Sequence, residues 1–202
     1  MSPLLKPTDV SACPHSKRLC MALIKDGILT IDNFHKTVGH AELPVIGDVL
    51  VNLNQWNQHK GLLLSSDQSV GVLLQSNEHP KAIANDIKHF DLIALEFPVF
   101  RDGRPYSYAK LLRERYRFSG ELRAVGDVLL DQLYFMNRVG FNSFEFNSEN
   151  PLLAWRKALD ELNICYQPSA DTRITTSELR NTKRDLKLPL LSLDPLESKN
   201  GG

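Results

Sequence analysis

Cysteine is scarce in this chain, and what there is stands in no reactive arrangement. Cys13, Cys20 and Cys165 form no Cys-x-x-Cys pair and leave an odd thiol. That usage excludes a disulfide framework and fits a reducing, cytoplasmic setting. The four thiolates that usually hold an iron–sulfur cluster are lacking. No apolar run reaches the roughly 18–20 residues that span a bilayer, which argues against a membrane partner. The run at 19–24 meets Lys25 and Asp26 too soon to serve as a secretory core. Net charge is lacking too: 24 basic residues balance 24 acidic ones, against nucleic-acid binding by the whole surface. Gly-x-Gly-x-x-Gly, the P-loop, His-Glu-x-x-His and Gly-x-Ser-x-Gly are all missing. The histidines occur without ligand spacing and none lies beyond His89. Cys13, His15 and Cys20 sit in a proline-punctuated arm that gives a metal little to fold onto.

What is present is alternation. Short apolar runs begin near 49, 70, 92, 121 and 142, each followed by a stretch of helical periodicity or a polar loop. Repeats of this length predict βα units and a parallel sheet with crossover helices. Before them, 19–24, Asp26-Gly27 and 28–31 read as a small hairpin that covers an edge or end of the sheet. We expect one α/β domain over 19–167, with a mainly parallel sheet of about five strands. Five βα units are too few for a closed eight-strand barrel, so an open three-layer arrangement is favoured, with a partial βα barrel as the alternative. An arm at 1–18 precedes the domain. A tail at 168–202, without a single aromatic residue, is expected to remain unstructured apart from an apolar patch at 187–196.

The segment 92–146 carries the unusual residues. Arg101, Asp102, Gly103, Arg104, Pro105, Tyr106 and Ser107 link a strand to a helix. Arginines beside a helix start, with its free N–H groups and positive dipole end, suit phosphate, sulfite or carboxylate. Between 101 and 123 there are seven basic and three acidic residues. The competing reading has Asp102 capping the helix and the arginines pairing with nearby carboxylates. Lys110, Arg113, Glu114 and Arg117 fall on the helix face opposite Tyr108, Leu111, Leu112 and Tyr116, so they read as solvated charges. Gly126-Asp127 ends the next strand. Asp127 is placed to cap the following helix, or to contact a ribose, a metal or a substrate proton. The candidate ligand site is therefore Arg101, Arg104, Tyr106, Ser107 and Asp127, beyond the strand carboxyl ends. Arg123 lies inside a central strand, where a guanidinium needs carboxylates; Glu96 and Glu145 are expected to supply them, as a structural network or as the floor of a site. Nothing nominates a nucleophile–base pair, and no cofactor is specified.

Phe97-Pro98, Phe100, Arg101-Asp102-Gly103-Arg104, Tyr106-Ser107, Ala109, the runs 111–115 and 120–127, 131–133 and Gly140-Phe141 together resemble an uncharacterised bacterial family. That family is catalogued as a domain of unknown function and labelled as oxidoreductases of sulfite reduction. The similarity extends more weakly over about 23–167. The chain departs from the pattern at Val139, where the family has Cys, and at Pro105, where it has Gly; the first removes a thiol from that position. The resemblance implies an accessory protein of assimilatory sulfite reduction with sulfite reductase as partner. Its label alternatively implies an oxidoreductase or other small-molecule enzyme using a phosphate-bearing cofactor. A nucleic-acid-binding role is the weakest reading.

Overall fold

The computed structural model describes residues 21–37, 47–160, 168–171 and 174–185. The expected arm at 1–18, the Cys13–His15–Cys20 grouping, Cys165 and the patch at 187–196 lie outside them. The described chain opens with the hairpin: β1 (Met21–Lys25) and β2 (Ile28–Thr30) pair antiparallel. Asp26 and Gly27 both take positive φ, at 50° and 80°. That is the two-residue turn whose twist matches the strands it joins, and it favours Asp-Gly. The two-residue strand β3 (His35–Lys36), which no sequence pattern signalled, is followed by the alternation. The order is β4 (Val49–Asn52), α1 (Leu53–Ser65), β5 (Val70–Leu74), β6 (Leu92–Phe97), α2 (Arg104–Glu114), β7 (Glu121–Gly126), α3 (Leu133–Arg138), β8 (Ser143–Asn147) and α4 (Pro151–Asp160). Asn52 starts α1 through a capping box with Gln55, and the helix runs on through Gly61 to Ser65. Between β5 and β6 the crossover carries two 3-10 turns in place of a helix, Pro80–Ile83 and Ile87–His89.

The sheet is larger than five strands and mixed. Its order is β2-β1-β8-β7-β6-β5-β4-β3, parallel from β3 through β8, with β1 antiparallel to β8. The three-layer expectation is corrected by this order. Parallel crossovers are right-handed, so strands added in steady succession place every helix on the same side; a second helix layer needs a reversal of strand order. Trp56, Leu63, Ala109, Leu112, Leu133, Met136, Trp155 and Ala158 accordingly share one apolar core with the strand residues of that face. The other face carries a small cluster, Leu50, Leu92, Ala94 and Val125, with Phe34 and Leu73 against it. The sheet curls around this second face as a half-barrel. Lys36 on β3 measures the curl: its Nζ lies 2.7 Å from Glu145 on β8. Five strand spacings separate them, roughly 24 Å if the sheet were flat.

Residues 174–185 also differ from expectation. Thr175 accepts the Glu178 N–H and Glu178 accepts the Thr175 N–H, a reciprocal cap that starts α5 (Thr176–Asp185) in the stretch read as a tail. A local capping box needs no aromatic residue. Asp171 returns to the domain through Arg138, 3.0 Å away. No helix among the described residues is long and apolar enough to cross a membrane.

Candidate functional site

The parallel strands β6 and β7 bring both singled-out turns to one end of the sheet. Gly126 has φ +94°, and a Cβ there would run into the Phe97 carbonyl, so glycine lets the two strand ends close on each other. Asp127 donates its N–H to that carbonyl at 2.8 Å and accepts the Phe100 N–H on Oδ2 at 2.8 Å. Gln132 donates to the Phe100 carbonyl at 2.9 Å. Asp127 therefore does not cap a helix: α3 begins only at Leu133, after a 3-10 turn at Leu130–Gln132. Its work is to lace the loop after β6 to the loop after β7.

The arginines are arranged differently. Asp102 takes the Arg104 backbone N–H at 3.1 Å and grips its guanidinium at two points, Nε at 2.9 Å and Nη2 at 2.6 Å. Nη2 also donates to Ser76 Oγ at 2.8 Å, beyond the end of β5. Hydrogen bonds from Arg104 hold the Asp102 carboxyl far below the usual range, and Asp102 raises the arginine in turn. Arg104 thus faces β5 while Asp127 serves the β7 side. Arg101 and Ser107 are exposed. Tyr106 is half-buried, edge-on to Phe97 at 5.4 Å; burial, with Asp131 nearby, pushes its phenol up to about 12. Beside the exposed Arg101, Asp127 and Asp131, the laced loops present four apolar side chains to solvent: Val99, Phe100, Leu129 and Leu130 are each between 38% and 48% accessible.

The second polar assembly fills the concave face. Arg123 is 1% exposed. Its Nε and Nη2 meet Glu121 Oε1 at 2.9 and 2.8 Å, and its Nη1 meets Asp32 at 2.9 Å and Glu145 at 3.5 Å. Lys25 holds the second oxygen of Glu121 at 2.7 Å, and Lys36 holds Glu145. Phe34 lies over the guanidinium, 5.7 Å to the ring centre. Burial opposes the charge on Arg123, but Glu121 and Asp32 outweigh it and raise the pKa. Burial also pushes Glu121 up, yet Lys25 and Arg123 leave it lowered overall. Glu96 does not join. Glu96 and Glu145 each stand two residues beyond the strand neighbours of Arg123, Ala94 and Ser143, and the guanidinium turns to Glu145 on the β8 side, with Glu121 and Asp32 filling its remaining donors. Sequence reasoning missed Glu121, although two residues apart on a strand share a face. Asp32, Lys25 and Lys36 came with no local signal.

Arg113 is likewise corrected. It is not a solvated face charge: its Nε donates to the Gly140 carbonyl at 2.9 Å, and its Nη1 to those of Phe118 and Gly120 at 2.7 and 2.9 Å. It thereby ties the end of α2 to the loops entering β7 and β8. Among the described residues no group of three or more His, Cys, Asp or Glu side chains could hold a metal ion.

Residues 71–176 match the family described as "Bacterial protein of unknown function (DUF934)", just over half of the sequence, from Gly71 in β5 to beyond α4. The chain belongs to this family. No curated protein and no solved structure matches it. The DUF934 match takes in the laced loops, Arg113 and the strand members of the concave cluster, Glu121, Arg123 and Glu145. Lys25, Asp32 and Lys36 come from chain that precedes it.

Proposed function

We propose that this DUF934 protein is an accessory protein of assimilatory sulfite reduction that docks onto sulfite reductase through the carboxyl rim of the half-barrel. The observation that carries the docking role is the exposure of Val99, Phe100, Leu129 and Leu130 on two loops fixed to each other by Asp127 and Gln132. Apolar side chains on a pre-fixed backbone lose little freedom on association, and a clustered apolar surface marks contact sites. Arg101 beside them adds a positive charge at the edge, suiting an apolar recess rimmed by carboxylates on the partner. The sulfite-reduction setting comes from the family resemblance. Arg104 serves this surface as scaffold, its charge already met by Asp102, so the rim itself is read as a protein contact and not as an anion pocket.

The test is direct binding between the purified protein and the sulfite reductase of its own source, measured by interferometry. The parent should bind, and Phe100→Asp with Leu130→Asp should lose at least about tenfold in affinity, since interface anchors each contribute about 2 kcal/mol or more. The variant's melting temperature should stay within a degree or two of the parent's, because neither side chain is buried. A parent without affinity, or a variant that binds equally well, rejects the docking role.

A further inference from the structure

The segment 31–34 leaves the β2 edge and reaches β3 on the opposite edge, so it crosses the open side of the half-barrel like a strap. Two cavities lie on either side of it. One, of about 280 Å³, is lined by Lys25, Asp48, Asp91, Glu121 and Arg123 near the strand amino ends. The other, a cleft of about 1030 Å³, is lined by Met21, Leu29, Lys36, Glu145 and Pro151. Leu23, Thr30, Ile31 and Phe34 belong to both, so the strap is the partition between them.

The ion-paired charges inside balance three against three: Arg123, Lys25 and Lys36 against Glu121, Glu145 and Asp32, with Asp48 and Asp91 standing apart on the wall of the smaller cavity. Five of these six come from strands. Asp32 alone comes from the strap, and its side chain keeps 28% of its surface in contact with solvent. Lifting the strap removes one negative charge and uncovers the Nη1 edge of a guanidinium that is otherwise shut in. Such an edge presents the donor geometry that carboxylate and sulfonate oxygens match. The larger cleft beside it is walled mainly by aliphatic side chains, with Glu149 at its exposed outer end.

We propose that the concave face is a binding site for a small organic monoanion, whose carboxylate or sulfonate head replaces Asp32 on Arg123 and whose apolar body occupies the larger cleft. Arg123 and Lys36 recognise the head, Leu23 and Phe34 contact the body, and Asp32 acts as an internal competitor that keeps the site closed when it is empty. Arg123 and its partners lie on the opposite face of the sheet from the helix core, the cleft reaches the start of α4 at Pro151, and the site shares no residue with the docking rim.

Calorimetric titration with hexanoate, hexanesulfonate and the neutral hexanamide tests it. Asp32→Asn removes the competing charge, so hexanoate or hexanesulfonate should bind this variant at least about tenfold more tightly than the parent, a single charge-assisted hydrogen bond being enough for that factor. Hexanamide should bind neither. Anion binding equal in parent and variant, or matched by hexanamide, overturns the proposal. The parent supplies a second reading that does not depend on the variant's folding. Phe34 donates its N–H to Asp32 Oδ1 at 3.1 Å within the strap, so excess hexanoate should speed exchange of that amide hydrogen, and unchanged exchange counts against the site. The Phe100→Asp, Leu130→Asp protein should retain hexanoate binding, which separates this inference from the docking reading.

Discussion

Arg113 and Arg123 both turn inward, and the chain meets their charge in opposite ways. Arg113 is answered by neutral oxygens: the backbone carbonyls of Phe118, Gly120 and Gly140, and the side-chain Oδ1 of Asn142 at 3.3 Å. Arg123 is answered by three carboxylates. The consequence shows in their proton affinities. Burial lowers the pKa of Arg113, opposed only by the more distant Asp26, whereas the carboxylates around Arg123 outweigh its burial and raise it. Carbonyl dipoles satisfy donors without returning a charge, so Arg113 works as a clamp on three loop ends. Carboxylates return the charge and in doing so create a mutual dependence: each partner of Arg123 needs it as much as it needs them.

That contrast predicts unequal costs. Arg123→Leu leaves Glu121, Glu145 and Asp32 facing two lysines, and breaking such a buried set should cost about 3–5 kcal/mol in thermal or denaturant unfolding. Removing Glu121 as well, in Arg123→Leu with Glu121→Leu, should recover part of that loss, because Glu145 keeps Lys36 and Asp32 can return to solvent. A double variant less stable than the single one would mean that the cluster is held by packing and not by charge. Arg113→Met should cost less, about 2–3 kcal/mol, since the freed carbonyls lie at loop ends that water can reach. Equal losses at the two positions would erase the distinction drawn between clamp and network.

The same pair shows what the sequence could and could not convey. Apolar runs spaced at βα intervals were legible as strands because burial on both faces leaves a local signature, and Asp26-Gly27 named its own turn. Glu121 and Arg123 share strand parity and Glu145 was expected on the neighbouring strand, so half of the six-charge concave cluster was available from spacing alone. Asp32 was not: only the curl of the sheet brings a loop residue near 32 against a strand residue at 123. The curl follows from strand order, and no periodicity records order. Arg113 was misread because helical spacing identifies the face away from the core without revealing that two loops fold over it. At the carboxyl rim, the proximity of the 98–103 and 126–132 loops was legible, while the turning of Arg104 toward Ser76 depended on a register between β5 and β6 that is written in neither strand.

The finest discrimination between the two arginine settings is their behaviour in acid. Arg113 and its carbonyls do not titrate, whereas the Arg123 network includes Glu121, whose folded-state pKa lies below its unfolded value of about 4.3. A carboxyl lowered on folding contributes stability that is complete above the unfolded pKa and is lost as pH falls through the folded one, because the unfolded chain takes up the proton first. Melting temperature should therefore fall as pH drops below that unfolded value. Asp86, Asp102 and Glu178 are lowered as well and contribute to the same slope, so the slope of the parent alone assigns nothing. The comparison across variants does. Arg113→Met keeps all four carboxyls and should show the parent's slope from a lower starting temperature. Glu121→Gln starts lower too, but with one titrating group removed its curve should be flatter through the acid range and converge on the parent's at the lowest pH. Curves for the parent and Glu121→Gln that run parallel throughout would place the proton linkage outside the concave cluster, and with it the mutual dependence that sets Arg123 apart from Arg113.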